Sequence, residues 1–342
     1  MFPLFAALLA APAFAEEAAP AAPPGLVGIA EVWGGFTLRT DSAGATPTLN
    51  LRRLAAGAEW SHASGFRAKL LLDGAQAAGM AEPQIVVRDA WAGTRSAGGT
   101  GVFGRVGAAR ASFGVMDRFE EGRRFWVAGD SAELERVAGW QPESAVAATV
   151  GGFGKRWSAT AELGDAAPLT STGLNFSAVE ARGRGELHLG GEDLAVHTGA
   201  SVAYRLPGLD ETDTRLLGEA HVELVSPRLS ALISGVGGTE GADGMPLAGA
   251  MVTLAAPIPV GGEVVREVGF VVGGIAYDPT LTGLPDAEDI PDAELRARAG
   301  VNLTWKVGAR SLVTGLGFSA VSPQDIALPV TETLNLEAAW RF

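Results

Sequence analysis

The sequence predicts an all-β protein, a transmembrane antiparallel β-barrel of about sixteen strands. Three observations point there. From Val27 onward the hydrophobic pattern has the two-residue period of a strand, not the period of a helix. One face of each segment is built largely from Ala, Val, Leu and Gly, the other carries Arg and Glu, and Trp and Tyr (Trp60, Trp157, Tyr204, Tyr277, Trp305, Trp340) fall near segment ends. The links alternate between short and long, as turns on one side of a bilayer and loops on the other require. A soluble sheet would also alternate. A lipid-facing outside around a wet inside explains all three observations, and a sandwich core does not.

The first residues stand apart. Phe2 to Ala11 form a short apolar stretch, and Ala13-Phe14-Ala15 supplies a small-x-small cleavage pattern, so residues 1–15 are expected to be a signal peptide. The stretch is too short to span a bilayer as a helix. Glu16-Glu17 and the Ala/Pro run to Pro24 read as a flexible leader (16–24), leaving 25–342 for the barrel. No later stretch is apolar for long enough to make a helical anchor.

Splitting the remainder at turn residues gives about sixteen segments of roughly 10–14 residues, the length a tilted membrane strand needs. Val179–Leu189 sets Glu180, Arg182, Arg184, Glu186 and His188 against Val179, Ala181, Leu187 and Leu189. Leu194–Arg205 sets His197, Ser201 and Arg205 against Val196, Ala200, Val202 and Tyr204, and Asp292–Val307 sets Arg296, Arg298, Asn302 and Lys306 against Leu295, Ala297, Val301 and Trp305. Such alternation places the two sets on opposite faces. Short links are expected at His62–Gly65, Gly154–Lys155, Gly190–Glu192, Ser226–Arg228 and Lys306–Ala309. Long ones are expected at Asp41–Thr48, Gly114–Gln141, Asp165–Gly173, Leu206–Thr212, Asp278–Pro291 and Ser322–Leu328. The last segment, Val330–Phe342, ends Leu334-x-Leu336-x-Ala338-x-Trp340-x-Phe342, the aromatic finish by which barrel-assembly machinery is expected to take up such a chain.

Composition closes off other classes. The chain has 342 residues, no cysteine and a formal charge of −13. The absence of cysteine excludes a disulfide scaffold, a cysteine-ligated metal centre and a thiol nucleophile. The acidic balance argues against a nucleic-acid partner, which needs a basic face.

Over Leu51–Gly154 the chain reads LRRLAAGAEW, GFRAKLLLDGAQ, VVRDAWAG, GRVGAARASFGVMDRFEEGRRFW and WQPESAVAATVGG. These segments resemble the phosphate-selective porin O/P family of bacterial outer-membrane channels, with its "RRxxxG", "F-x-x-K", "xRDAYxG" and "xVGxxxxxFG" strands followed by a charged loop. The resemblance covers about a third of the chain, the later strands resembling porins generally. It implies a trimeric sixteen-stranded barrel in a Gram-negative outer membrane, an inward-folded third outer loop, and anion-preferring diffusion of small hydrophilic solutes. The family's phosphate selectivity depends on constriction lysines. Here the lysines are Lys69, Lys155 and Lys306, and the third loop has none.

That loop, Gly114 to Gln141, holds Arg118, Arg123, Arg124 and Arg136 beside Asp117, Glu120, Glu121, Asp130, Glu133 and Glu135. Asp130-Ser131-Ala132-Glu133 is a capping-box pattern with Gly139 as a stop, predicting a short helix from Ser131 to Ala138. Phe119, Phe125, Trp126, Leu134 and Trp140 would pin it to the wall, and its opposed charges would filter solutes by charge and dipole. A solvated outer loop is the alternative. On the wall, parity turns Arg182, Arg184, Arg205 and Arg215 inward, joined by Arg53, Arg67, Lys69, Arg156, Arg296 and Arg298. Clustered guanidiniums attract carboxylate, phosphate or sulfate, whereas Glu180, Glu186, Glu219, Glu223 and Glu337 on the same face favour mutual neutralisation.

His188, His197 and His221 share the inward parity on three successive segments, with His197 expected near His221 and Glu186. Such a cluster would titrate near neutral pH or bind Zn²⁺ or Cu²⁺; solvated neutral imidazoles are the alternative. No G-x-S-x-G, H-E-x-x-H or phosphate-binding loop occurs, so no catalysis and no cofactor are expected. A plugged structural or adhesion barrel, an outer-membrane enzyme and a secreted β-sandwich remain as alternatives to the channel.

Overall fold

The computed structural model describes residues 25–74, 86–96, 98–109, 113, 145–165, 179–191, 193–206, 214–240, 244–262, 264–278, 294–307, 310–323 and 330–341. Among the described residues lie sixteen strands. In the first half these are β1 (Gly25–Asp41), β2 (Gly44–Ser61), β3 (Phe66–Asp73), β4 (Val86–Arg95), β5 (Gly101–Ala109), β6 (Ala145–Phe153), β7 (Trp157–Asp165) and β8 (Val179–Gly190). The second half comprises β9 (Ala195–Leu206), β10 (Arg215–Val225), β11 (Ser230–Glu240), β12 (Met245–Pro259), β13 (Val265–Asp278), β14 (Glu294–Val307), β15 (Arg310–Pro323) and β16 (Thr331–Arg341). Each pairs antiparallel with its chain neighbours, and β1 pairs with β16 from Glu31↔Arg341 to Thr40↔Glu332, so the sheet closes on itself. Closure leaves the sheet no lateral edge and satisfies backbone groups that a bilayer cannot hydrate.

The two faces of the wall follow from strand parity. On β10 every second residue is buried, and the hidden set is Arg215, Leu217, Glu219, His221, Glu223 and Val225. The exposed set includes Leu216, Val222 and Leu224. Hiding charge and exposing aliphatic side chains inverts the pattern of a water-soluble sheet. Val102, Val106, Val150, Leu163, Ile233 and Leu295 are likewise exposed around the circumference. Each would forfeit about 1.5–3 kcal/mol of burial free energy if it faced water. Trp60 and Trp157 sit beside short turns with outward exposure, and Tyr204 lies near the opposite end of β9. Amphipathic rings at such ends suit membrane interfaces.

Three expectations are corrected. The link placed at Asp41–Thr48 is a tight turn: β1 and β2 stay paired up to Asp41↔Gly44, where the Ala43 amide donates to Asp41 Oδ1 at 2.8 Å. Alternation over 44–50 carries the strand into what was read as loop, and Gly44 takes the positive φ the turn needs. The strands also range from 8 to 18 residues, because β1 and β2 extend as a long hairpin. Tyr277 does not join a girdle. It shares the parity of Ile275 and lies in a buried cluster on the inner face with Ala203, Leu217, Leu232, Val236, Leu247 and Met251.

That cluster makes the inner wall less uniformly polar than the alternation suggested. It runs over β9 to β13 and includes Phe113, from the link that follows β5. Phe113 is fully buried, so the chain leaving β5 meets the inner face of distant strands. The remainder of the third loop, with the helix expected at Ser131–Ala138, lies outside the described residues, as do the leader and Phe342.

Candidate functional site

Register assembles the inner wall into cross-strand rungs. Arg105 on β5 faces Thr149 on β6, Thr149 faces Glu162 on β7, and Glu162 faces Arg182 on β8. One step along, Glu180 faces Arg205 on β9, which faces Arg215 on β10. The rungs join at β8, where Arg182 Nε donates to Glu180 Oε1 at 2.6 Å and Arg182 Nη1 to Glu162 Oε1 at 2.7 Å. Glu162 Oε2 accepts from Thr149 Oγ1 at 3.1 Å and lies 3.7 Å from Arg105 Nη2. Glu180 Oε2 accepts from Arg215 Nη2 at 3.0 Å and Arg205 Nε at 3.4 Å.

This geometry has an electrostatic reason. Arg205 and Arg215 stand directly opposite each other, an arrangement that repels in a sheet. Glu180 accepts from both and from Arg182, offsetting that repulsion. Among the described residues the belt sets four guanidiniums against the Glu162 and Glu180 carboxylates, with buried Asp165 beside Arg182, and keeps an excess of positive charge. Arg182 is fully buried, whereas the Arg105 and Arg205 side chains keep 24% and 23% exposure. These two present charge to the lumen; Arg182 and Glu180 hold the belt together.

A second group lies nearer the short-turn end. Arg184 Nη2 donates to Glu186 Oε1 at 2.7 Å, and Ser158 Oγ donates to Glu186 Oε2 at 3.2 Å. Glu219 is held by three strands: Ser201 Oγ and Ser234 Oγ each donate at 3.0 Å, and His221 Nδ1 lies 2.9 Å away. His221 packs on Gly199, where a Cβ would approach the ring Cε1 to 2.7 Å. His188 faces His197 in register, with their Nδ1 atoms 2.7 Å apart. The histidines thus fall into a His188–His197 pair and a His221–Glu219 pair. Among the described residues no group of three or more His, Asp and Glu is arranged to hold a metal ion.

The remaining expected wall residues divide. Lys69 turns inward and pairs with Asp89 at 2.8 Å, and Arg67 shares its parity on β3. Arg296 pairs with Glu294 at 2.6 Å, while Arg298 Nη2 donates to Thr253 Oγ1 at 2.8 Å. Arg53 lies opposite Trp33 in register, its side chain outside the described residues. Arg156 is corrected: it sits exposed in the short turn between β6 and β7, where its carbonyl accepts from the His188 amide. Glycine and lysine before it end β6 too early for a wall position. Arg118, Glu120, Glu121, Arg123 and Arg124 lie outside the described residues.

Several wall residues were missed. Thr149 and Glu162 carry the ordinary alternation of β6 and β7 and were legible by parity. Arg88 was not, because a bulge inserts it between Val87, opposite Leu72, and Asp89, opposite Leu71. The extra residue lets Arg88 reach Glu31, at 3.6 Å, while its neighbour Asp89 pairs with Lys69.

No protein-family model and no curated protein matches the chain. Solved structures do. The chain is similar to OprB of Pseudomonas putida, at 11% identity and TM-score 0.66 over 93% of this chain and 94% of that one. It is similar to an anion-selective porin from Comamonas acidovorans, at 14% identity and TM-score 0.56 over 93% and 99%. It is also similar to the outer membrane channel DcaP of Acinetobacter baumannii, at 9% identity and TM-score 0.58 over 94% and 98%. At such identities the likeness is one of fold: the chain shares the barrel of outer-membrane porins and channels at large, with nothing that singles out the phosphate-selective O/P type.

Proposed function

We propose that this chain is an outer-membrane porin that passes small hydrophilic solutes and ions by diffusion, with a mild anion preference. The observation that carries the reading is the two-faced closed wall: aliphatic side chains outside, and an ion-paired belt from Arg105 to Arg215 inside. A charged lumen wall in a water-filled barrel concentrates counter-ions and disfavours co-ions. Arg105 and Arg205 are the groups a passing anion meets, and the belt's excess positive charge supports the anion preference. In this reading residues 1–15 direct export and are removed, three copies assemble in the lipid, and Phe342 engages the assembly machinery. The size limit, in this reading, belongs to the long link after β5, whose Phe113 is packed on the inner face. Diffusion of this kind calls for no cofactor and no catalytic group.

Planar-bilayer recording tests this. Stepwise conductance with a reversal potential toward the anion equilibrium in a salt gradient is expected. Absence of conductance from correctly folded protein refutes the channel, and a cation-directed potential refutes the preference. One observation favours a second reading, a plugged structural barrel. The apolar inner cluster over β9 to β13 is as dry as a protein core, and a lumen filled to that extent along its whole length would carry no current.

A further inference from the structure

On the channel reading above, we propose that His188 and His197 form a shared-proton pair that sets the pore's ion selectivity according to pH. The two residues face each other in register on β8 and β9, with Nδ1 atoms 2.7 Å apart and ring centroids 4.9 Å apart. A contact that short between two imidazole nitrogens is a hydrogen bond, so one Nδ1 carries a proton and the other accepts it. The pair is therefore neutral when it holds the bridging proton on one ring and an Nε2 proton on the other. One further proton can settle on the remaining Nε2 without disturbing the bridge. A second would have to occupy the accepting Nδ1, breaking the bridge and placing two cations side by side. The pair thus acts as a single-charge element over the range where imidazole titrates.

The surroundings make that charge matter. On β8, Glu186 Oε2 lies 3.9 Å from His188 Nε2, with its other oxygen on Arg184. On β10, buried Glu223 stands opposite His197 in register, and the Glu219–His221 pair lies two residues further along the same strand. From the β7 side come the neutral Ser158 and, in the turn before the strand, the exposed Arg156, whose carbonyl accepts from the His188 amide at 2.8 Å. With the histidine pair neutral, the carboxylates at this end (Glu186, Glu219, Glu223) stand against Arg184 on the wall and Arg156 at the exposed turn, so the sector lacks the positive excess of the belt further along. His188 retains 18% side-chain exposure, so the pair is in reach of protons from the lumen. Protonation there adds a positive charge beside Glu186 and Glu223 and eases the passage of anions entering from the short-turn side.

The test compares the full-length wild type with H188Q/H197Q in planar bilayers, reading reversal potentials in a KCl gradient at pH 8 and pH 5. One charge several ångströms from a screened permeation path changes the Cl⁻/K⁺ permeability ratio by about twofold. A rise of that size in the wild type beyond the rise in the double variant is expected; equal rises in both overturn the proposal. Should the double variant not fold, H188N/H197N, which keeps a side-chain amide near each Nδ1 position but cannot take up the proton, is expected to remove the same increment. If neither protein conducts at either pH, the channel reading has failed. Imidazole ¹⁵N spectra of the micelle-bound protein then still decide the pairing. Replacing His188 is expected to alter the titration of His197, and an unchanged His197 curve overturns the shared proton.

Discussion

Glu180→Gln is the most informative single change. The Glu180 carboxylate is 1% exposed and accepts from Arg182 at 2.6 Å, Arg215 at 3.0 Å and Arg205 at 3.4 Å. At an effective dielectric near 20, a charge pair about 3 Å apart attracts by roughly 5 kcal/mol, most of it offset by the cost of desolvating both ions. Glutamine preserves shape but removes the charge, leaving Arg205 and Arg215 face to face without their shared counter-ion. Removing one partner of a buried ion cluster costs about 3–5 kcal/mol. Urea unfolding of barrel refolded into lipid vesicles, followed by tryptophan fluorescence, measures the loss directly. Asp193→Asn, in an exposed turn, serves as the control with no expected effect. A loss for Glu180→Gln below about 1 kcal/mol, the value of a solvated surface pair, would refute the claim that this carboxylate holds the belt together.

Other outcomes follow from the same geometry. Arg105→Ala and Arg205→Ala together should move the reversal potential toward cations, since these are the belt's lumen-exposed guanidiniums; an unchanged potential would return the wall to mutual neutralisation. Ile233→Arg, on the exposed face of β11, should cost about 2–4 kcal/mol in lipid-vesicle unfolding if that face meets the bilayer interior, and a neutral result would contradict the assignment of faces. Phe113→Ala should destabilise the barrel by about 3–5 kcal/mol through the cavity left against Leu217 and Ile275, checked in the same unfolding assay; no loss would contradict the packing of Phe113 on that wall. Gly199→Ala forces a methyl against the His221 ring and should cost about 1–3 kcal/mol, an expectation that a stability equal to wild type would overturn.

Much of this molecule was written in its alternation. A strand has no choice about which face its neighbours occupy, so parity alone assigned Arg182, Arg205, Arg215, Glu180 and Glu219 to the inner wall, where the structure holds them. The same parity placed His188, His197 and His221 on one surface, and turn residues located most of the short links. Local sequence suffices for these because they depend only on the two-residue period and on backbone preferences of a few consecutive residues.

Register is another matter, since it links strands distant in sequence and a single bulge changes it. That Arg205 faces Arg215, that Glu180 serves three arginines, and that His197 meets His188 rather than the expected His221 became apparent only when the strands were aligned side by side. Arg88 turned inward through a bulge, and the Asp41–Thr48 stretch became strand because its partner across the turn continued to pair with it. The dry cluster over β9 to β13 escaped the sequence for a related reason. A strand that is apolar on both faces carries no polar alternation, so Met251 and Ile275 could be assigned to the interior only by what packs against them. Leu217 is inward by the parity of Arg215 and Glu219, but that it joins them in a shared cluster with Phe113 needed the packing too. The sequence by itself determined a wall with an apolar face and a charged face, because side-chain direction is local. The tertiary structure decided which charges neutralise one another and which remain for a solute to meet, because distances across strands are not local.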